Sequence, residues 1–407
     1  MFDMVRFLKV LKGNPKIALL TDPLWTAPFN MFQPFVALYM LSLGLGDIEI
    51  GTLLSVGIFV QFVTALISGV VTDKFGRRKT LLVSDFVAWN IPVLIWAFAQ
   101  NFWWFFMATI INSVYRISSL SFECIWLEDT NEDKLPKLIN WFQIFSLVSI
   151  FFVLISGFLV DRYTVVPAMR LLYLFAFVVM GLRILILYFF IKETKVGQER
   201  IIATVDKSVF QLLSGYRDVF LLIIHSKSML RILMLLPLVG IFQMITGTFF
   251  ALYATQNLLL GAYVLAYFPV VRAGVALLFF FLIQTRIEHF NPRHLMCVGI
   301  VLYAVSHGLL LVAPPQNIVW LGAYTLMDAW ASALFLPRLS NLIFSSIDAN
   351  ERARCRALIN VIVLAITIPF GFLAGLMSDV DRRLPFILNI VIFVYLIFFI
   401  FTKKSKL

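Results

Sequence analysis

Several ionisable side chains lie within apolar runs, among them Arg116, Arg183, Arg272, Arg338 and Asp328. Charge is costly in hydrocarbon, so such residues are functional candidates by default. A carboxylate placed there can take up and release a proton, and an arginine can attract an anion. Arg116 stands about 14 residues into its run and Asp328 about 11 into its own. At about 1.5 Å per helical residue, both reach the middle of a bilayer. Asp22 and Asp85 lie closer to a boundary. Arg183 and Arg272 read as structural ion pairs or snorkelling ends.

The polar residues around these charges recur at helical steps, one face at a time. One run carries Asp22, Thr26, Asn30 and Gln33, and another carries Asn112, Arg116, Ser119 and Glu123. Gln243, Thr246, Phe250 and Tyr253 mark a third, while Tyr324, Asp328, Phe335 and Arg338, with Ser332 close by, mark a fourth. These stripes are expected to line a cavity. Trp25, Phe29, Phe250 and Trp330 would give that cavity an aromatic lining, which favours amphiphilic or drug-like cargo.

The elements that position them must be membrane helices. Of 407 residues, 61% are hydrophobic and 14% charged, and the mean hydropathy is +0.94. A soluble domain is nearer half apolar and a quarter charged. A spanning helix needs roughly 20 mostly apolar residues. Candidate spans fall at about 18–42, 50–71, 80–99, 102–127, 138–160 and 169–191. They resume at about 231–256, 262–284, 295–313, 317–345, 357–378 and 384–402. Continuous apolar runs such as 275–283 exclude the alternating strands of a β-barrel.

The net charge of +11 is not a nucleic-acid footprint, because the basic residues sit in short clusters between apolar runs. Most Lys and Arg fall in segments that alternate to one side, whereas the opposite turns hold Arg162, Arg170, Arg382 and Arg383. The positive-inside bias then puts both termini in the cytoplasm. No cleavable signal peptide is expected. Cys124, Cys297 and Cys355 are scattered and show no metal spacing, so neither metal nor cofactor is expected. No HExxH stands in the sequence, and His225, His289, His294 and His307 are dispersed, so the chain does not read as an enzyme. No phosphate-binding GxxxxGK[ST] loop is present, so ATP does not drive it.

The chain repeats itself. Leu138-Ile139-Asn140 returns as Leu358-Ile359-Asn360, each copy between the fourth and fifth span of its half. Gly157 and Asp161 likewise match Gly375 and Asp379. Residues 1–191 and 231–407 form two six-helix halves, joined by 192–230 with an amphipathic interfacial helix over VFQLLSGYRDVFLLII.

Between spans 2 and 3 stands Gly69-Val70-Val71-Thr72-Asp73-Lys74-Phe75-Gly76-Arg77-Arg78-Lys79. This stretch resembles the signature loop of the major facilitator superfamily, G-x-x-x-D-[RK]-x-G-R-[RK]-[RK]. A worn copy runs from Glu288 to His294, with Asn291 at the glycine position and Pro292 at the first arginine. Gly69 and Gly76 permit close helix approach and a tight loop. Asp73 can accept hydrogen bonds from a helix N-terminus. The resemblance implies that this partner is span 11, beginning near Arg356, and that Arg77 pairs with Glu128 or Asp129, closing a cytoplasmic gate to which Arg78 belongs. It also implies that spans 1, 4, 7 and 10 surround the pathway, and that Arg116 occupies the place of the family's helix-4 arginine.

The expected protein is therefore all-α, with twelve transmembrane helices in two pseudo-symmetric six-helix bundles. The expected function is secondary active transport of a small solute by alternating access, coupled to protons, as a monomer in the plasma or inner membrane. The aromatic positions lean toward amphiphilic or drug-like compounds, with efflux as one option; neither the substrate nor the direction is specified by the sequence. The alternatives are a facilitator or anion exchanger using Arg116 and Arg338, and a non-transporting receptor or scaffold on the same fold.

Overall fold

The structure, a computed structural model, describes residues 7–206, 227–287, 289–345 and 352–402. Among the described residues there is no strand. Twelve spans follow one another. Span 1 is assembled from Asn14–Thr21, Pro23–Phe32 and Val36–Ser42, with a 3-10 turn at Gln33–Phe35. Spans 2 and 3 are Asp47–Phe75 and Arg77–Ala97, and span 4 combines Phe102–Asn112 with Tyr115–Glu128. Spans 5 and 6 are Leu135–Tyr163 and Val165–Phe190. A short helix, Lys195–Thr204, follows. Spans 7 and 8 are Met229–Asn257 and Ala262–Ile283. The last four are Pro292–Val312, Ile318–Ser345, Arg352–Val380 and Leu384–Thr402. Among the described residues, nine helices are long and apolar enough to cross a membrane. Spans 1 and 4 are broken, span 5 is interrupted by a turn between Ile150 and Val153, and the apolar part of span 12, Leu384–Ile400, is shorter.

The breaks have local causes. Pro23, Pro28 and Pro34 each remove a backbone donor from span 1. Span 4 contains no proline or glycine at its break. There Ser113 donates to the Gly57 carbonyl (3.1 Å) while its own carbonyl accepts from Thr64 (2.9 Å). The Ser113 carbonyl at the joint is thus satisfied by span 2, as hydrocarbon demands. Span 3 contains a π turn at Phe86–Asn90, and Asn112 donates to the Ala88 carbonyl inside it at 2.8 Å.

Contacts gather the chain into two compact units. The first holds Met1–Phe32, Val56–Phe152 and Met169–Arg217; the second holds Gln33–Ser55, Val153–Ala168 and Asp218–Leu407. Phe7, Leu11, Leu19 and Leu138 form one core of the first unit, and Leu81, Ile125, Leu187 and Ile191 form another. In the second unit, Tyr303 stacks on Phe393 at 5.4 Å, with Phe242 and His307 against the same ring. Phe158, Phe189 and Val380 point outward, as a lipid-facing surface requires.

The second unit closes tightly where the start of span 2 meets the end of span 11. A Cβ on Gly51 would lie 2.6 Å from the Gly371 carbonyl oxygen and 2.7 Å from the Gly375 Cα. Only backbones without side chains approach so closely. Ser55 fastens the same place, donating to the Ile368 carbonyl (2.6 Å) and accepting from the Phe372 N–H (2.7 Å).

Candidate gate and substrate sites

The signature loop folds around Arg77. Its guanidinium is 4% exposed as a residue and meets the Asp73 carboxylate at 2.8 Å and Glu128 at 3.1 Å. Of the two acids the resemblance offered, Glu128 is the partner. Asp129 instead accepts from Asn14 (2.7 Å), whose amide also exchanges hydrogen bonds with the Lys192 backbone (2.7 and 2.9 Å). Gly69 lies partly buried within span 2. Gly76 holds φ at +86°, a left-handed conformation that suits glycine.

A residue not anticipated from the sequence completes this cluster. Glu193 accepts from the backbone N–H groups of Arg77 and Arg78, both at 2.9 Å. Its carboxylate therefore sits on the N-terminus of span 3, where the helix dipole favours an anion. Arg78 reaches the Tyr188 carbonyl at 2.7 Å. Thr194 donates to Glu128 and accepts from the Gly197 N–H, capping the short helix Lys195–Thr204. A Cβ on Gly197 would fall 2.1 Å from Glu193 Oε1. The beginning of the segment after span 6 is thus bolted to the loop between spans 2 and 3. The amphipathic helix expected over 209–224 lies outside the described residues.

The worn second copy keeps only the start of a helix. Asn291 accepts from the Arg293 N–H (3.0 Å), with Pro292 at the first helical position of span 9. Glu288 and the side chain of Arg356 lie outside the described residues.

The second unit carries an ion pair that the stripes did not indicate. Asp47, at the start of span 2, accepts from Arg382 at 2.9 and 3.0 Å and from Ser378 at 2.6 Å. Its side chain is 3% exposed and that of Arg382 is 29% exposed. This pair adjoins the glycine contact of spans 2 and 11.

Asp328 also has a partner. Arg272 Nε meets its carboxylate at 3.1 Å, with side-chain exposures of 43% for the arginine and 3% for the aspartate. Both line a cavity of about 220 Å³ in the second unit. Gln33, Thr246, Thr325 and Tyr324 add polar groups, while Phe250 and Phe268 supply aromatic walls. Phe250 stacks on Tyr324 at 5.3 Å and meets Phe268 edge-on at 4.7 Å. Behind the wall, His307 and Thr246 both contact the Asn389 amide, at 3.2 Å each.

The other stripe residues are dispersed. Arg116 belongs to the first unit and binds the Gln61 amide oxygen at 2.9 Å, stacked over Tyr115 at 4.9 Å. It is not among the residues lining the cavity of Asp328. Asn112 is spent on the π turn of span 3. Arg338 donates to the Leu334 carbonyl (2.8 Å) and lies 6.0 Å from the Phe279 ring. Asp22, Asn30 and Glu123 are partly buried, and Gln243 is exposed. Trp25 and Phe29 pack on each other and on Trp89, and Trp330 packs on Phe279; of the four aromatic positions, Phe250 lines the cavity. Arg183 forms a buried pair with Asp85, beneath Phe122.

This chain belongs to the MFS_1-like family, whose sequence model matches residues 24–388. It is a multi-pass membrane protein with the all-α, twelve-span fold of that family. One relative is an uncharacterized MFS-type transporter, YqjV, of Bacillus subtilis (strain 168), 28% identical over 111 residues and 27% of each chain. Another is the multi-drug resistance efflux pump PmrA of Streptococcus pneumoniae serotype 4, 27% identical over 108 residues, or 26% of this chain and 27% of that one. The matched stretch therefore spans about a quarter of either relative's length. The fold is shared with the nucleoside transporter NupG (D323A mutant) at a TM-score of 0.75 and 16% identity, covering 97% of this chain and 100% of that one. It is shared equally with a POT family transporter in complex with 5-aminolevulinic acid, at a TM-score of 0.73, 13% identity and 95% of each chain.

Proposed function

We propose that this protein is a secondary active transporter working by alternating access, with both termini in the cytoplasm and Asp328 as its proton-coupling carboxylate. The observation that carries this reading is the Asp328–Arg272 pair at 3.1 Å on the wall of a membrane-embedded cavity. A carboxylate removed from water favours its neutral form, while an adjacent arginine favours the ionised form. Under this reading, parting the pair lets Asp328 take up a proton and re-forming it releases one. The aromatic lining supports an amphiphilic solute. Arg77 with Asp73 and Glu128 would close the cytoplasmic end, and Asp47 with Arg382 the other. The protein would act as a monomer in the cell membrane, with 1–191 and 231–407 as its two halves.

The test is transport in proteoliposomes with and without an imposed pH gradient, using a mixed metabolite panel read by mass spectrometry. Wild type should accumulate a panel member only under the gradient. Asp328→Asn, which mimics the protonated acid, should abolish accumulation while leaving downhill exchange. Gradient-driven accumulation by Asp328→Asn at the wild-type level would remove the coupling assignment.

A further inference from the structure

The cavity says more about its cargo than that it is amphiphilic. The two partners of the ion pair are unequally placed: Asp328 is 3% exposed and Arg272 43%. Both residues line the cavity, and the arginine side chain is the more accessible of the two to an arriving ligand. A cation would have to displace Arg272 to reach Asp328. An anion need only bind the N–H groups that Asp328 leaves unused, since a guanidinium carries five donors. Among the described residues the remaining lining offers no second carboxylate, but amide and hydroxyl groups, aromatic rings and the aliphatic surface of Leu265, Ala251 and Pro269. Resting on the reading of this cavity as the substrate site, we propose that it binds a small organic monocarboxylate with a planar apolar body, carboxylate on Arg272 and ring against Phe250.

Proton coupling then follows from competition for one arginine. While Asp328 is ionised, it occupies and neutralises Arg272. When Asp328 takes a proton, the guanidinium charge is released to the incoming carboxylate. Binding of proton and anion is therefore mutually favourable, and the linkage is reciprocal. One proton on Asp328 and one anion on Arg272 cancel, so the loaded site carries the same net charge as the empty one. Transport by this route is electroneutral.

The groups facing Asp328 come from each neighbouring span. Span 8 brings Arg272, span 9 brings Tyr303 and His307, and span 10 itself brings Tyr324. Tyr303 reaches both Arg272 and Ser332. Span 7 contributes Thr246, which does not titrate, and span 1 contributes Gln33. Among the described residues that line the cavity, Arg272 is the cation.

The test is calorimetric titration of the purified full-length protein with acetate, benzoate, indole-3-acetate and, as the cationic control, benzylamine. Titrations run between about pH 6 and 8, where the carboxylates stay ionised. Benzoate or indole-3-acetate should bind, and binding should tighten up to tenfold per unit fall in pH. Arg272→Gln should lose it at every pH, and Arg272→Lys should recover part of it. Asp328→Asn should bind with the low-pH affinity throughout. Uptake of the bound carboxylate into liposomes should not respond to a potassium diffusion potential. Binding of benzylamine instead, unimpaired binding by Arg272→Gln, or no binding of any carboxylate overturns the anionic assignment, and pH-independent carboxylate binding overturns the competition for Arg272. If the anion assignment fails while Asp328→Asn still abolishes gradient-driven accumulation of another solute, the substrate class falls and the coupling role stands. Wild-type accumulation by Asp328→Asn removes the coupling role, whatever the titrations give.

Discussion

Asp47 holds Arg382 through both carboxylate oxygens, at 2.9 and 3.0 Å, one helical turn before Gly51 passes against Gly375. A charge pair and a side-chain-free contact thus secure the same junction between spans 2 and 11. Under the proposed cycle this junction has to part for the pathway to open at that end.

Removing one member of a buried ion pair costs about 3–5 kcal/mol, and less where a partner reaches water, as Arg382 does. Asp47→Asn should therefore destabilise this junction and raise the reactivity of a cysteine placed at 378 toward a thiol reagent. The double variant Asp47→Asn with Arg382→Gln should react less than Asp47→Asn, because no unpaired charge remains. Equal reactivity in wild type and Asp47→Asn would show that the pair does not hold the junction.

Gly51→Ala tests the other half of the fastening. The new Cβ would meet backbone 2.6 Å away, which no side-chain rotation relieves. Overpacking of this kind costs about 1–3 kcal/mol. The melting temperature in detergent should fall by several degrees, while Gly247→Ala, whose Cβ meets nothing within 4 Å, should leave it nearly unchanged.

At the signature loop, Arg77→Ala leaves Asp73 and Glu128 without their shared cation. Arg77→Ala and Asp73→Asn should cut transport severely while the protein still inserts. Arg293→Gln, in the worn copy, should transport far better than Arg77→Ala. Normal transport by both loop variants would dismiss the gate assignment.

Glu193 and Gly197 should behave as one unit. Gly197→Ala displaces the Glu193 carboxylate from the start of span 3, so its loss of stability should match that of Glu193→Ala. A helix-terminal carboxylate contributes about 0.3–1 kcal/mol, up to about 2 where partly buried. In a Glu193→Ala background, Gly197→Ala should add little. Additive losses would mean that the two residues act separately.

Membrane orientation is tested by labelling. With native cysteines removed, cysteines at 161–166 and 313–316 should react with an impermeant thiol reagent added outside, and those at 75 and 290 should not. The reversed pattern would overturn the cytoplasmic termini.

The helices were legible because each apolar run announces its own length, and Arg77 with Glu128 because a specific motif carried them. What could not be read was which neighbour a polar face meets. Helical spacing places Asp328 on a stripe, but its partner Arg272 stands on another span and was assigned a merely structural role. The breaks of spans 1 and 4 had unequal signals. Prolines mark the first, whereas the second depends on Thr64, 49 residues away from Ser113. A clue to Asp47–Arg382 was present in the charge pattern, since Arg382 is one of few basic residues on the side that positive-inside bias depletes. Glu193 was overlooked because the dipeptide Glu193-Thr194 reads as one more polar element of a linker until the capped helix after it is seen.

The π turn at Phe86–Asn90 also bears on how span 3 is read as text. Each residue advances an α-helix by about 100°, and a π turn inserts one more residue than the α spacing allows. Span 3 is therefore written in two reading frames, Arg77–Asp85 and Ile91–Ala97, whose wheels are out of phase. A helical wheel drawn continuously through the span misassigns one of them. Compared with a relative lacking the turn, this chain would align in both frames only across a one-residue gap.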